Sequence, residues 1–116
     1  MAQAREQLAA SRATLLSGFG PATVSLAYYA MLYAARAALS EEDLYARTHS
    51  GTWMLFRDTF VVKGLFDEEL FQRSHKTLPL RLGVDYEAMR VTQHDAEAVV
   101  ELAERFVAAV AALYPD

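Results

Sequence analysis

ATVSLAYYAMLYAARAAL, residues 22–39, is apolar on nearly every side of a helical wheel, with Thr23, Ser25 and Arg36 as its clear polar interruptions. A helix of that composition has to be covered all round. Its length of about 27 Å comes near the short limit of a membrane span, but two hydroxyls and a guanidinium inside the run favour a helix buried in protein. Leu26, Tyr29, Tyr33 and Arg36 recur at helical spacing, and Val24, Tyr28, Met31 and Ala35 form a second stripe facing elsewhere. Two stripes call for two packing partners, one the domain's own core and the other a second copy of the chain.

Working outward, Gly18, Gly20 and Pro21 stop one helix and start the next. The helix before them, from about Gln3 to Ser17, sets Ala4, Leu8, Ser11 and Leu15 on one face. After residue 39 comes a charged connector, Ser40 to Ser50, and then a third helical segment from about Gly51 to Lys63, closed by Gly64. Asp67 is placed to cap a fourth, beginning at Glu68 and running towards Gly83, which Pro79 should kink or end. Thr92, with Asp95 three residues on, opens the last helix in the manner of a capping box. Through Leu113 that helix lines up Ala96, Val99, Val100, Ala103, Phe106, Val107 and Val110 opposite Glu97, Glu101, Glu104 and Arg105. No alternating run proposes a strand. The expected architecture is all-α, an antiparallel up-and-down four-helix bundle with an additional short helix, forming one domain over residues 1–116.

Composition narrows the chemistry. With 116 residues and 53% hydrophobic side chains the chain can bury a substantial core, which excludes disorder. The absence of Cys removes disulfides, thiolate nucleophiles and Cys-based zinc sites, leaving carboxylates and three His as possible ligands. The N-terminus lacks the pattern of a secretory signal, so a cytoplasmic location and no membrane association are expected. The net charge of −4 opposes a broad nucleic-acid-coating surface, yet Phe71 to Arg81 holds Arg73, His75, Lys76 and Arg81 with no acid. Nine of the eleven basic residues are Arg, the side chain suited to bidentate phosphate contact.

Phosphate loops, paired-His metal motifs and Ser nucleophile elbows do not occur. Neither a metal nor a cofactor is expected. His49, in Thr48-His49-Ser50-Gly51, sits at a helix entrance, where a capping arrangement is the more common explanation and a phosphate donor the sharper one. His75 lies between Arg73 and Lys76, on a solvated face or gripping an anion. His94 falls in the first turn of the acidic last helix and is expected to be exposed. The most individual stretch is Arg81-Leu82-Gly83-Val84-Asp85-Tyr86, where Asp85 pairs Arg81 at a corner, or Arg81 enters a cleft and binds phosphate.

Taken together, these pieces resemble the HEPN domain, the small helical domain often encoded beside a minimal nucleotidyltransferase. The resemblance rests on Ala27-Tyr28-Tyr29-Ala30-Met31 continuing into Ala34-Ala35-Arg36, on Thr48-His49-Ser50-Gly51, on Phe60-Val61-Val62-Lys63-Gly64, on Arg81 with Asp85-Tyr86, and on Ala96 to Phe106. It implies a homodimeric helical bundle with a cleft that handles RNA or nucleotides, and a nucleotidyltransferase partner, in a toxin–antitoxin or stress system. Active members carry an Arg to hold the scissile phosphate and, after four to six intervening residues, a His that assists proton transfer. Arg81 matches that Arg, and Tyr86 stands where the His is expected. Arg90 and His94 are too close together to replace the pair. A Tyr, with an ordinary pKa near 10, shuttles protons poorly at neutral pH.

The leading expectation is therefore an RNA- or nucleotide-associated module, with Arg81 and Tyr86 at the centre and Asp85, His49, Arg73, His75 and Lys76 around it. A metal-independent ribonuclease toxin using Arg81, with Tyr86, His49 or His75, is the enzymatic alternative. A purely structural dimerisation domain is the third.

Overall fold

A computed structural model describes residues 1–77 and 91–115, and everything below concerns those residues. They form five α-helices and no strand: α1 Ala2–Leu16, α2 Gly20–Glu41, α3 His49–Phe56, α4 Glu68–His75 and α5 Gln93–Leu113. α3 runs on into a single π-helical turn, Arg57–Val61.

α2 is the axis of the fold, packing against α1, α5 and α3. Its Val24, Tyr28, Met31 and Ala35 stripe is completely buried. The Leu26, Tyr29, Tyr33 and Arg36 stripe is only half-covered. Ala27, Ala30, Ala34 and Ala38, also buried, let the neighbouring helices approach closely. The amphipathic stripe of α5 is buried along its whole length, from Ala96 to Val110. α1 contributes Ala4, Leu8 and Ser11, while Leu15 is half-buried.

The helix boundaries have local causes. Gly18 takes φ +78°, a conformation natural to glycine, and lets the chain reverse between α1 and α2 in three residues. The turn is laced by the Phe19 amide donating to Thr14 O at 3.0 Å and by the Thr14 and Thr23 hydroxyls 2.7 Å apart. Gly20 is needed for space: a Cβ there would lie 3.1 Å from the Val91 carbonyl oxygen. From α5, Gln93 Nε2 donates to Leu15 O at 3.0 Å and satisfies a carbonyl at the end of α1. Asp67 accepts from the Leu70 amide at 2.7 Å and caps α4. Thr92 and Asp95 form both bonds of the capping box, at 3.0 and 3.2 Å.

Two features depart from the sequence expectation. The segment expected as one helix from Gly51 to Lys63 starts at His49 and changes pitch after Phe56. The wider turn is bonded from the Val62 amide to Arg57 O at 2.9 Å, and it sets Phe60 inward beside Phe56, ring centroids 4.9 Å apart. α4, expected to run on towards Gly83, ends at His75. The bend expected at Pro79 lies outside the described residues.

The end of α5 is fastened to the end of α2, where the Tyr114 hydroxyl donates to Glu42 Oε2 at 2.5 Å. Burial, the hydrogen bond to Glu42 and the charges of Glu42 and Glu41 raise the Tyr114 pKa to about 12. The unfolded phenol titrates near 10, so it loses its proton first, and the folded state is disfavoured as pH rises from about 10 to 12. Below pH 10 the contribution is fully present. Urea melts of wild type and Tyr114→Phe should therefore differ most at neutral pH and converge across that alkaline window. A constant difference up to pH 12 would remove Tyr114 as the source.

Candidate functional site

Trp53 is the centre of the molecule's aromatic core. It is fully buried, and its ring meets Tyr28 of α2, Phe71 and His75 of α4, and Phe106 of α5, at centroid distances of 5.5–6.3 Å. Its indole N–H donates to the Tyr28 hydroxyl at 3.2 Å. Two of the three histidines, His49 and His75, attach to this hub.

His49 opens α3, but the cap itself is Thr48. The Thr48 Oγ1 accepts from the Gly51 amide at 2.9 Å, and Thr48 O accepts from the Thr52 hydroxyl at 2.8 Å. The His49 ring, half-buried, lies 5.8 Å from both Tyr28 and Tyr29. His75 ends α4 and is stacked on Phe71, one helical turn earlier, with centroids 5.8 Å apart and planes 1° from parallel. The expectation of a solvated face at His75 is corrected here: the ring is half-buried, and its buried Nδ1 has no hydrogen-bond partner among the described residues. The cause is the spacing of Phe71 and His75, which puts both rings on the side of α4 that meets Trp53.

Arg73 and Lys76 remain on the solvent side, exposed. Alongside the half-buried His75 they give the end of α4 an all-basic character, which also complements the helix dipole. A cleft of about 120 Å³ opens beside the hub, between Trp53, Met54, Arg57, Phe71, Gln72 and His75. The Arg57 guanidinium on its rim is paired to Asp58 at 3.2 Å. His94 is exposed, as expected. Arg81, Asp85 and Tyr86 lie outside the described residues. Among the described residues, no three His, Asp or Glu side chains converge as a metal site would require, and no helix is long and apolar enough to cross a membrane.

The hub thus gathers His49 from one helix start and His75 from another helix end, 26 residues apart in sequence, onto one run of rings through Tyr28 and Trp53. Trp53 and Arg57 were not singled out from the sequence. Their signal was the four-residue spacing of two large side chains, which reads equally as core.

An all-helical domain with histidines seated on a buried aromatic hub is the class of protein defined here. The HEPN domain family matches residues 1–113, and the chain belongs to that family. It is 31% identical over 104 residues to a protein of Methanocaldococcus jannaschii named "Putative toxin", spanning 90% of this chain and 78% of that protein. It is also 31% identical to the UPF0332 protein of Gloeobacter violaceus, over 92% of this chain and 86% of the other. A second M. jannaschii protein with the toxin name is 28% identical, over 90% of this chain and 72% of its own length.

Proposed function

We propose that this chain is a toxin-like HEPN module of a toxin–antitoxin or related stress system. In this reading it works in the cytoplasm as a homodimer, binds RNA or nucleotide phosphate around Arg81, and acts with a minimal nucleotidyltransferase. The observation that carries it is the seating of His49 and His75 on one run of rings beside the basic end of α4, in a chain whose relatives bear the toxin name. Arg73 and Lys76 are free to meet phosphate from solvent. The half-covered stripe of Leu26, Tyr29 and Tyr33 supports a second copy as the other partner of α2. Arg81 holds the phosphate, with Asp85 and Tyr86 completing its surroundings.

A second reading, a metal-independent ribonuclease, is favoured by His75. Its ring is fixed by the stack on Phe71 while Nδ1 has no partner, so the imidazole is oriented and uncommitted. In this reading Arg81 stabilises the phosphate and His75, or His49, moves the proton that Tyr86 handles poorly.

One experiment separates the readings: purified protein with mixed cellular RNA in excess chelator, wild type against Arg81→Ala and His75→Ala. The leading reading expects intact RNA that is bound at low salt, with affinity falling as salt rises and about tenfold weaker in Arg81→Ala. Cleavage that disappears in Arg81→Ala makes the protein a nuclease. Absence of both binding and cleavage at low salt, with Arg81→Ala changing only stability, is the mark of a structural module.

A further inference from the structure

A second concavity lies away from the Trp53 hub. A groove of about 450 Å³ runs over the C-terminal half of α2, walled by the start of α1 and by the connector that follows α2. Arg36 lines it, with Tyr33, Ser40 and Glu41 on the same helix and Leu44 and Tyr45 on the connector.

Arg36 is half-buried, and its guanidinium is poorly matched by the protein. One contact is made: Nε donates to Thr52 Oγ1 at a long 3.4 Å, and that hydroxyl is itself committed to Thr48 O. No carboxylate lies within ion-pair distance among the described residues. The remaining guanidinium N–H groups, a planar fork suited to two oxygens at once, have no acceptor among the described residues and are open to solvent. A guanidinium on a groove wall with no counter-charge of its own is open to an acceptor brought from outside the chain.

The groove says which acceptor. Glu41 stands in the same cavity, and Glu42 and Asp43 follow it, so the rim repels a dianion such as a phosphate monoester. A single carboxylate, accompanied by a cation for Glu41, matches both signs. Arg36 and Glu41 are five residues apart, about 7.5 Å along the helix. That is close to the distance between side chains i and i+4 on a facing helix or i and i+2 on a strand. Around the charges are Tyr33, Leu44 and Tyr45, and Tyr45 is 75% exposed on the rim. Arginine and tyrosine over an apolar floor are the anchors of protein interfaces.

We propose that this groove docks a segment of a partner protein that places an aspartate or glutamate side chain on Arg36 and a lysine or arginine beside Glu41.

The test is a titration of the full chain, followed by the Arg36 side-chain Nε–Hε resonance. The probes are the blocked tripeptide acetyl-Glu-Leu-Lys-amide, which sets the two charges at i and i+2, its glutamine counterpart, and AMP. The glutamate peptide should shift that resonance saturably and bind at least about tenfold more tightly than the glutamine peptide, as one charge-assisted bidentate contact provides. Tyr45→Ala, exposed and unable to unfold the core, should weaken it several-fold, and Arg36→Gln should remove it. Equal binding of the two peptides, or no saturation by tens of millimolar, overturns the proposal. AMP binding more tightly than the peptide makes the groove a nucleotide site instead. A dimer that dissociates on Arg36→Gln in sedimentation assigns the guanidinium to a second copy, which overturns it equally.

Discussion

Trp53→Ala is expected to remove about 3–5 kcal/mol of folding stability. A domain of this kind has roughly 5–15 kcal/mol in total, so the variant stands near the edge of folding at 37 °C. The loss has two parts: the transfer of the indole surface to water, and a hole that its neighbours cannot close. The second part is large here because the walls of the hole belong to different helices. Tyr28 comes from α2, Phe71 from α4 and Phe106 from α5, and each is held by further packing of its own. The indole N–H bond to Tyr28 disappears as well. Urea denaturation should show a much lower midpoint with little change of slope. A cost below about 1 kcal/mol would mean that the rings are not the centre of the core.

Phe106→Ala should cost a similar amount, about 3–5 kcal/mol. Phe106 is completely buried on α5 and meets Phe56, Phe66 and Trp53 at 5.5, 5.1 and 5.5 Å. It ties the last helix to α3 and to the segment before α4. Because Phe106 and Trp53 touch, the double variant should fall short of the summed losses by about 0.5–3 kcal/mol. Strict additivity would show that the two rings stabilise separate parts of the fold. Should the double variant not fold, Phe106→Leu with Trp53→Phe measures the same coupling at smaller cost.

Much of this architecture was legible in the sequence for a simple reason: burial leaves a periodic mark. The stripe of α5, the all-round apolarity of α2, and the caps at Asp67 and Thr92 each follow from one local rule, and each is present. The π-helical turn at Arg57–Val61 left no such mark. Phe56 and Phe60 are four apart, which suits an ordinary helix, and the wider turn answers to tertiary packing of the two rings.

The site was less legible than the fold. The helix start at His49 is legible because the cap beside it is a local device: Thr48 Oγ1 accepts from the Gly51 amide three residues on. His75 was read from its charged neighbours in sequence, Arg73 and Lys76, whereas its environment is set one turn away by Phe71. Arg36 was noticed as an interruption in an apolar helix. What it lacks, a counter-charge, is a property of three dimensions and of the connector folded beside it.

Trp53 is the only tryptophan in the chain, and it touches rings on α2, α4 and α5 from its own place on α3. The protein therefore carries a single indole, wired to four of its five described helices and in contact with one of the histidines discussed above. Its emission, excited selectively at the red edge of the ultraviolet band, is a label-free optical gauge: a ligand that shifts the end of α4 changes the surroundings of the one indole and has no second tryptophan to hide behind.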